Sequence, residues 1–396
     1  MKSKFYRLML LFIPLAIYCK WRYGANIYSF VGACLGIIPL AKFMGEATEN
    51  LSNHVGEVIG GLLNASFGNA CELIIAITAL KSGFYDVVKA SLTGSIISNV
   101  LLVLGASMFF GGFNRQHQRF NKVAAMTSAT LLALASISLI IPTVFHYIYF
   151  ASSNNLKVLH ESRLALFISV ILFSTYLASL FFTLKTHKNL FTGSSETDLE
   201  KVSEIGGNDW SDLGVTAAIA DTSITNMSLD QSLSVGTAAI NIETKQSFKT
   251  AILILVIATI LVTVLSDILV ASLEPFAKSL GLSQTFIGVI LIAIIGNAAE
   301  HSTAVYFAMK NKIDLSINIA LGSGSQIALF VAPVIVFASF IIGKPMNLCF
   351  SYFEVLSIAV SVIILSFVAV DGECNWLEGF QLLALYLILA CTFYFL

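Results

Sequence analysis

Two glutamates inside long apolar stretches are the first candidates for chemistry. Glu72 and Glu300 lie deep in segments 56–80 and 282–309, each long and apolar enough to cross a bilayer. A carboxylate at mid-bilayer costs at least about 2.5 kcal/mol, so it indicates a functional site by default. Two neighbouring carboxylates in a poorly solvated site can hold one divalent cation or be neutralised by protons. The pair therefore predicts a site where a metal cation and protons compete.

The two glutamates occupy equivalent positions of an internal repeat. Residues 68–103 align without gaps to residues 296–331, and ten positions are identical. Most of the identical residues are Gly, Asn, Glu, Asp or Ser, which a shared membrane composition does not explain. The copies are five predicted spans apart, so they face opposite ways in the membrane. Inverted repeats of this kind are typical of secondary transporters whose binding site lies between the two halves.

Uncharged polar side chains accompany both glutamates. Asn69 and Asn297 precede them by three residues, which is about one helical turn. The next predicted helix of each copy adds hydroxyl and amide groups, namely Ser95, Ser98 and Asn99 in the first copy and Ser323, Ser325 and Gln326 in the second. Carboxylate, amide and hydroxyl oxygens without a thiolate or imidazole cluster favour a hard cation, so calcium is the expected metal rather than zinc or copper.

Three further residues adjoin these groups. His301 follows Glu300 and is a candidate proton relay, although a single imidazole at a helix interface more often makes only a structural hydrogen bond. Gly68 and Gly296 begin the two G-N-A-x-E segments and would let another helix pack closely around the site. The third predicted span also carries polar and small residues at spacings of three and four, which predicts one continuous helical face: Glu57, Gly61, Asn64, Gly68 and Glu72.

The composition requires a membrane protein. The 396 residues are 57% hydrophobic and 11% charged, whereas soluble domains carry about a quarter charged residues. Eleven apolar segments are long enough to span a bilayer, which predicts an all-α polytopic protein. The predicted segments are 5–19, 26–43, 56–80, 86–111, 121–145, 163–184, 249–274, 282–309, 314–342, 350–370 and 376–395.

These spans predict two inverted five-helix repeats and one N-terminal accessory helix. The boundaries are 1–25 for the accessory helix, 26–184 for the first repeat, 185–248 for a polar loop and 249–396 for the second repeat. The distribution of Lys and Arg places the N-terminus and the loop in the cytoplasm. The loop is acidic and rich in Ser, Thr and Gly, so we interpret it as a flexible linker, with cation sensing as the alternative.

Several classes of function are excluded. Twenty-two basic against 23 acidic residues leave no positive field for a nucleic acid. The six cysteines form no C-x-x-C pair and lie mostly in apolar runs, so we interpret them as buried hydrophobic residues rather than disulfides or zinc ligands. No G-x-x-x-x-G-K-S/T loop is present, so an ion gradient must supply the energy. No resident cofactor is expected.

At these residues the sequence resembles the cation/proton exchanger family of the calcium/cation antiporter superfamily, typified by vacuolar calcium/proton exchangers. Residues 47–74, ATENLSNHVGEVIGGLLNASFGNACELI, are similar to the first repeat of that family, and 281–330 are similar to its second. The resemblance implies calcium/proton antiport, with Glu72 and Glu300 as the cation and proton ligands. It implies that these residues lie nearby: Asn69, Asn297, Ser98, Asn99 and Gln326. The membrane would be vacuolar or another organellar one in a eukaryote, and the inner or plasma membrane in a prokaryote.

Two positions depart from the family pattern. Segment 291–295 lacks the usual proline before the second G-N-A-A-E, which leaves the helix bend there open. Gly324 replaces the second serine of the usual G-S-S-x-Q, which leaves the preference for calcium over manganese or sodium open.

Other functions stay open at this point. They are antiport of manganese or sodium with protons, sodium or potassium as the counter-ion, a passive cation channel and an intramembrane hydrolase. The G-N-A-x-E pair argues against a sodium or potassium counter-ion, and a hydrolase of this type would be expected to use aspartates. Calcium, protons and the lipid bilayer are the expected partners, and a homo-oligomer is an open possibility.

Overall fold

The described part of the chain is helical almost throughout. The computed structural model describes residues 2–55, 57–150, 157–187 and 247–396. The α-helices are α1 (Lys2–Met9), α2 (Phe12–Tyr23), α3 (Ile27–Val55), α4 (Glu57–Gly68), α5 (Ala70–Lys81), α6 (Tyr85–Ile97), α7 (Leu104–Gly112), α8 (Lys122–Phe150), α9 (Lys157–Phe181), α10 (Phe248–Leu280), α11 (Gln284–Phe286), α12 (Ala293–Gly296), α13 (Ala298–Met309), α14 (Ile313–Gln326), α15 (Ala332–Ile341), α16 (Tyr352–Asp371) and α17 (Trp376–Phe395).

Short π-helical turns and one pair of strands complete the described structure. The π-helical turns are π1 (Ser98–Val103), π2 (Phe182–Thr186), π3 (Ile287–Ile292) and π4 (Ile327–Val331). The strands β1 (Gln118–Arg119) and β2 (Glu373–Cys374) pair antiparallel and join two interhelical loops. The predicted all-α class is confirmed.

The apolar helices are numerous enough for a multi-pass membrane protein. Within the described residues, eight helices are long and apolar enough to cross a membrane, and two bent helix pairs bring the number to ten if each is one span. The first predicted segment, 5–19, forms α1 and α2, so its role as an eleventh span stays a prediction. Most of the predicted loop 185–248 lies outside the described residues.

The two G-N-A-x-E segments are helix breaks. Asn69 and Asn297 leave the helical region, with φ/ψ of −98°/15° and −91°/6°. The helix axis bends by 49° at Asn69 and by 61° at Asn297. Gly and Asn are weak helix formers, and together they interrupt hydrogen bonding that the apolar flanks would otherwise continue. The predicted continuous polar face of the third span is therefore interrupted at Asn69, and the second bend forms without the missing proline.

Helices α3 and α10, the first long helices of the two predicted repeats, pack against each other antiparallel. The rings of Phe30 and Phe276 stack with centroids 4.0 Å apart. The hydroxyl oxygens of Ser29 and Ser272 are 2.7 Å apart in the buried interface. The pairing joins the two predicted repeats along one long contact.

Burial separates the centre of the molecule from its lipid-facing side. In the span Tyr85–Gly112, 83% of the most apolar stretch is buried, against 22% in the span His160–Thr186. Large apolar side chains such as Phe167 and Ile171 on α9 are exposed, as lipid contact allows. Helices α6 and α7 are thus central, and the helix breaks lie beside them.

Candidate cation site

The site is built where the two helix breaks face each other. Glu72 lies in the first turn of α5 and Glu300 in the first turn of α13. The positive ends of these two helix dipoles stabilise negative charge there. A Cβ atom at Gly296 would lie 3.3 Å from both Cγ and Oε1 of Glu72, so this carboxylate reaches across to the second break. The two carboxylates lie close enough to interact electrostatically.

The asparagines at the breaks donate hydrogen bonds across the repeats. Asn69 Nδ2 donates to Gln326 Oε1 at 2.6 Å. Asn297 Nδ2 donates to Ser95 Oγ at 3.0 Å and to the Ala293 carbonyl at 2.9 Å. Each break is therefore attached to a helix of the opposite predicted repeat.

Asn99, like Asn69 and Asn297, donates hydrogen bonds to the opposite predicted repeat. It lies in π1, fully buried, and its Nδ2 donates to Ser323 Oγ at 3.1 Å and to Asn297 Oδ1 at 3.4 Å. The wider π-helical turn at this point is typical of functional sites. In the second repeat, π4 begins directly after Gln326. Sequence-equivalent parts of both repeats thus surround the glutamates.

Two predicted site residues direct their hydroxyl groups elsewhere in this conformation. Ser98 Oγ donates to the Ser95 carbonyl at 3.2 Å, within its own helix. Ser325 Oγ donates to the Ser128 carbonyl on α8 at 3.5 Å. The structure therefore brings together Glu72, Glu300, Asn69, Asn297, Asn99, Ser95, Ser323 and Gln326, and it turns the hydroxyl groups of Ser98 and Ser325 to backbone oxygens.

Several oxygens of the site have unused acceptor capacity. Oε2 of Glu72 and Oε2 of Glu300 are buried and accept no hydrogen bond from any described residue, and the same holds for Asn99 Oδ1. The Ser323 side chain lies beside the Glu300 carboxylate. A buried carboxylate oxygen without a partner is unfavourable, because it has lost water and gained nothing in exchange. A bound cation or a proton supplies the missing partner.

A narrow cavity adjoins Glu72. Its volume is about 10 Å³, which is close to the space that one water molecule needs. Its lining comes from α5, α6, π3, α12 and π4: Glu72, Ile75, Ala76, Ser91, Leu92, Ser95, Ile292, Gly296, Ile327 and Val331. Ser91 is not among the predicted site residues, although its position four residues before Ser95 places both on one helical face.

The predicted proton relay lies beside the site without an identified route. His301 follows Glu300 on α13, and its buried Nε2 makes no hydrogen bond to a described residue. Its role as a relay stays a prediction.

Known proteins resemble the chain over its whole length. The sequence matches the family described as sodium/calcium exchanger protein over residues 25–185 and 250–395. A Ca(2+)/H(+) antiporter of Aphanothece halophytica is 43% identical over 387 residues, which cover 98% of this chain and 95% of the relative. A vacuolar calcium ion transporter of Schizosaccharomyces pombe is 36% identical, covering 99% and 85% of the two chains. The solved structure of native YfkE matches with a TM-score of 0.76 at 35% identity, covering 99% of this chain and all of that one.

Proposed function

The chain belongs to the sodium/calcium exchanger protein family, and we propose that it is a secondary active antiporter that moves calcium across a membrane in exchange for protons. The resemblance to cation/proton exchangers noted in the sequence is confirmed by full-length relatives named calcium/proton antiporters. The protein is a multi-pass membrane transporter and not an enzyme. Calcium and protons are its substrates.

The buried carboxylate pair is the observation that carries the proposal. Glu72 and Glu300 come from opposite predicted repeats, and each leaves one buried oxygen without a hydrogen bond to the described residues. Calcium prefers carboxylate and neutral amide oxygens as ligands, and the Asn99 Oδ1 oxygen is available beside the pair. These three side chains are the proposed core of the calcium site.

Competition at this site is sufficient for exchange. Two negative charges about 4 Å apart in a protein environment repel by about 4 kcal/mol, so the empty and fully ionised pair is unfavourable. Calcium neutralises both charges, and protons do the same when calcium has left. A site that is always occupied by one or the other, and that opens to one side of the membrane at a time, couples the two fluxes.

The amide network holds the site together between the halves. Asn69, Asn297 and Asn99 each donate to a side chain that lies on the opposite predicted repeat. We propose that these bonds rearrange when access changes sides, because they cross between the two repeats directly beside the glutamates. The division into an accessory helix (1–25), two repeats (26–184 and 249–396) and a cytoplasmic loop (185–248) belongs to the same proposal.

The membrane and the orientation are also proposed. Relatives include bacterial antiporters and vacuolar transporters, so the proposed location is an organellar membrane in a eukaryote or the inner membrane in a prokaryote. The N-terminus is proposed to lie in the cytoplasm. A proton gradient directed into the cytosol would drive calcium out of it.

A flux measurement tests the function. Proteoliposomes with an acidic interior receive external calcium, and calcium uptake and proton efflux are recorded together. We expect uptake that requires the pH gradient, with protons moving oppositely. Glu72→Gln should reduce both fluxes to background, whereas Glu373→Gln, which changes a carboxylate paired with Arg119 in the loops, should not.

Two results would contradict this function. Calcium flux that is indifferent to the pH gradient would indicate another counter-ion or a channel. Full exchange by Glu72→Gln would exclude the two-carboxylate mechanism.

A further inference from the structure

A second group of ligand-type side chains lies outside the transport site. His146 near the end of α8, Glu161 in the first turns of α9 and Cys349 in the segment before α16 converge. One ligand atom of each, nitrogen, oxygen and sulfur, lies within 4.8 Å of the other two. They come from three separate parts of the sequence, so only the fold brings them together.

The three side chains are held by specific contacts. His146 Nδ1 and Glu161 Oε1 are 2.6 Å apart, and Asn347 Nδ2 donates to Glu161 Oε2 at 3.1 Å. Cys349 Sγ donates to the Pro142 carbonyl at 3.7 Å. Glu161 and Cys349 are buried, and His146 is half-buried. A buried carboxylate in this position requires a positive partner, and a protonated imidazole or a metal ion can supply it.

The donor types select the metal. A thiolate sulfur, an imidazole nitrogen and a carboxylate oxygen are the three ligand types of protein zinc sites, whereas calcium takes oxygen ligands. One thiolate and one carboxylate also balance the two charges of Zn²⁺. Zinc bonds of about 2.0–2.3 Å in tetrahedral geometry place ligand atoms about 3.5 Å apart. The His146–Glu161 pair must therefore open slightly, and the sulfur must approach.

The local structure permits that adjustment. Cys349 lies in the irregular segment between α15 and α16, outside any helix, and Phe350 N donates to Thr143 Oγ1 at 2.9 Å beside it, so the adjustment falls on rotation of the side chains. Nearby, Lys89 Nζ donates to the Cys349 carbonyl at 3.0 Å, and Asp86 pairs with the same ammonium group at 2.9 Å. Asp86 thus neutralises the positive charge of Lys89, which reduces its repulsion of a cation bound at Cys349.

We propose that His146, Glu161 and Cys349 form a zinc-binding site, separate from the transport site, that fastens the segment before α16 to helices α8 and α9. Three protein ligands leave the fourth position open for water. Zinc bound only to the folded protein stabilises it by mass action. The site therefore joins a segment of the second predicted repeat to two helices of the first.

Cobalt is the probe, because a cobalt–thiolate bond has a charge-transfer absorption band. The purified full-length protein in detergent should bind one Co²⁺ with this band, and Zn²⁺ should displace it and raise the unfolding temperature. Cys349→Ser should remove the band and weaken zinc binding at least about tenfold. Cys391→Ser, which changes an exposed cysteine outside the cluster, should leave both unchanged.

Two further variants keep the test decisive. If Cys349→Ser fails to fold, His146→Gln changes a half-buried ligand and should also weaken zinc binding at least about tenfold. The double variant Glu72→Gln, Glu300→Gln should keep the cobalt band, since the proposed site does not use these residues. A band that survives in Cys349→Ser, zinc binding unchanged in His146→Gln, or a band lost in the double glutamine variant would overturn the proposal.

Discussion

The two G-N-A-x-E segments share a sequence and a helix break, but their surroundings differ. At the second break, a Cβ atom on Gly296 would lie 3.3 Å from Glu72. At the first break, a Cβ atom on Gly68 would have no atom of another described turn or helix within 4 Å. Glu72 thus packs against the opposite break, whereas the equivalent face of Gly68 is open. In this conformation the two sequence-equivalent helix breaks therefore make different contacts.

A second pair of equivalent glycines shows the same contrast. A Cβ atom on Gly94 would overlap the backbone carbonyl of Val289 in π3, whereas one on Gly322 would lie more than 4 Å from every described residue outside its own turn of helix. The sequence symmetry consequently identifies the site, but only the packing tells which copy is tightly enclosed. Each glycine pair offers a matched experiment, since the same substitution enters two sequence-equivalent positions.

The largest expected effect is at the two carboxylates, where the same substitution at the equivalent positions of the two repeats should have the same effect. Glu72→Gln and Glu300→Gln each remove one charged ligand and one proton carrier, and ligand charge sets calcium affinity over orders of magnitude. We expect either variant to lose at least about 100-fold in exchange rate in proteoliposomes. The variants should fold normally, as thermal unfolding of the purified proteins can check. One variant that transports normally would show that the glutamates do not act as a pair.

The next largest effect separates Gly94 from Gly322. Gly94→Ala forces α6 away from π3 and should destabilise the protein by about 3 kcal/mol. Gly322→Ala meets no other helix in the described part of the chain within 4 Å and gains up to about 1 kcal/mol from the higher helix propensity of alanine. Thermal unfolding in detergent measures both. Equal effects of the two variants would mean that the difference in packing is not a property of the protein in solution.

A smaller effect separates Gly296 from Gly68. Gly296→Ala should displace the Glu72 carboxylate by a few tenths of an ångström and weaken calcium binding about tenfold, because calcium affinity depends on the geometry and rigidity of its ligands. Gly68→Ala should change binding by less than about twofold, since its Cβ is free of contacts. Calcium titrations of the purified variants make the comparison. A larger loss of calcium affinity in Gly68→Ala than in Gly296→Ala would mean that the Gly68 break, and not the Gly296 break, is the tightly packed one.

The smallest effect is expected at Gly324. A Cβ atom there would lie 3.7 Å from Leu132 and 3.8 Å from Asn99 Cβ, which are ordinary contacts. Gly324→Ser would restore the hydroxyl group that the family pattern carries, and its Cβ atom would make only ordinary contacts. We expect calcium binding to change by less than about threefold, measured against manganese in parallel titrations. A change of calcium affinity beyond tenfold would show that this hydroxyl position is a ligand position.

The sequence predicted the function that the relatives confirm, because acidic residues and repeated Gly, Asn and Glu residues are unusual inside apolar helices. The role of Glu72 and Glu300 as ligands stays a prediction. The helix breaks could not be predicted in the same way, since apolar residues continue on both sides of Asn69 and Asn297 as they would in one unbroken span. The hydrogen bonds from Asn69 and Asn297 depend on how the two repeats meet. Such contacts are tertiary, so the spacing of residues within one helix does not predict them.

The cysteine interpretation agrees with the structure as far as burial goes, since all six cysteines are free and five of them are buried. The zinc-ligand role proposed for Cys349 could not be inferred from its apolar neighbours in the chain. Its position beside His146 and Glu161 arises from helices about 200 residues away in sequence. A ligand set assembled from distant single residues has no spacing that could reveal it.

Proton release on calcium binding tests the central claim most directly. Calcium is added to the purified protein in weakly buffered detergent solution at neutral pH, and the released protons are counted per bound calcium. If Glu72 and Glu300 share one site for calcium and protons, the wild-type protein releases protons with a saturating dependence on calcium, and Glu72→Gln and Glu300→Gln both lose calcium binding and release. Undiminished calcium-dependent release in either variant would contradict the claim.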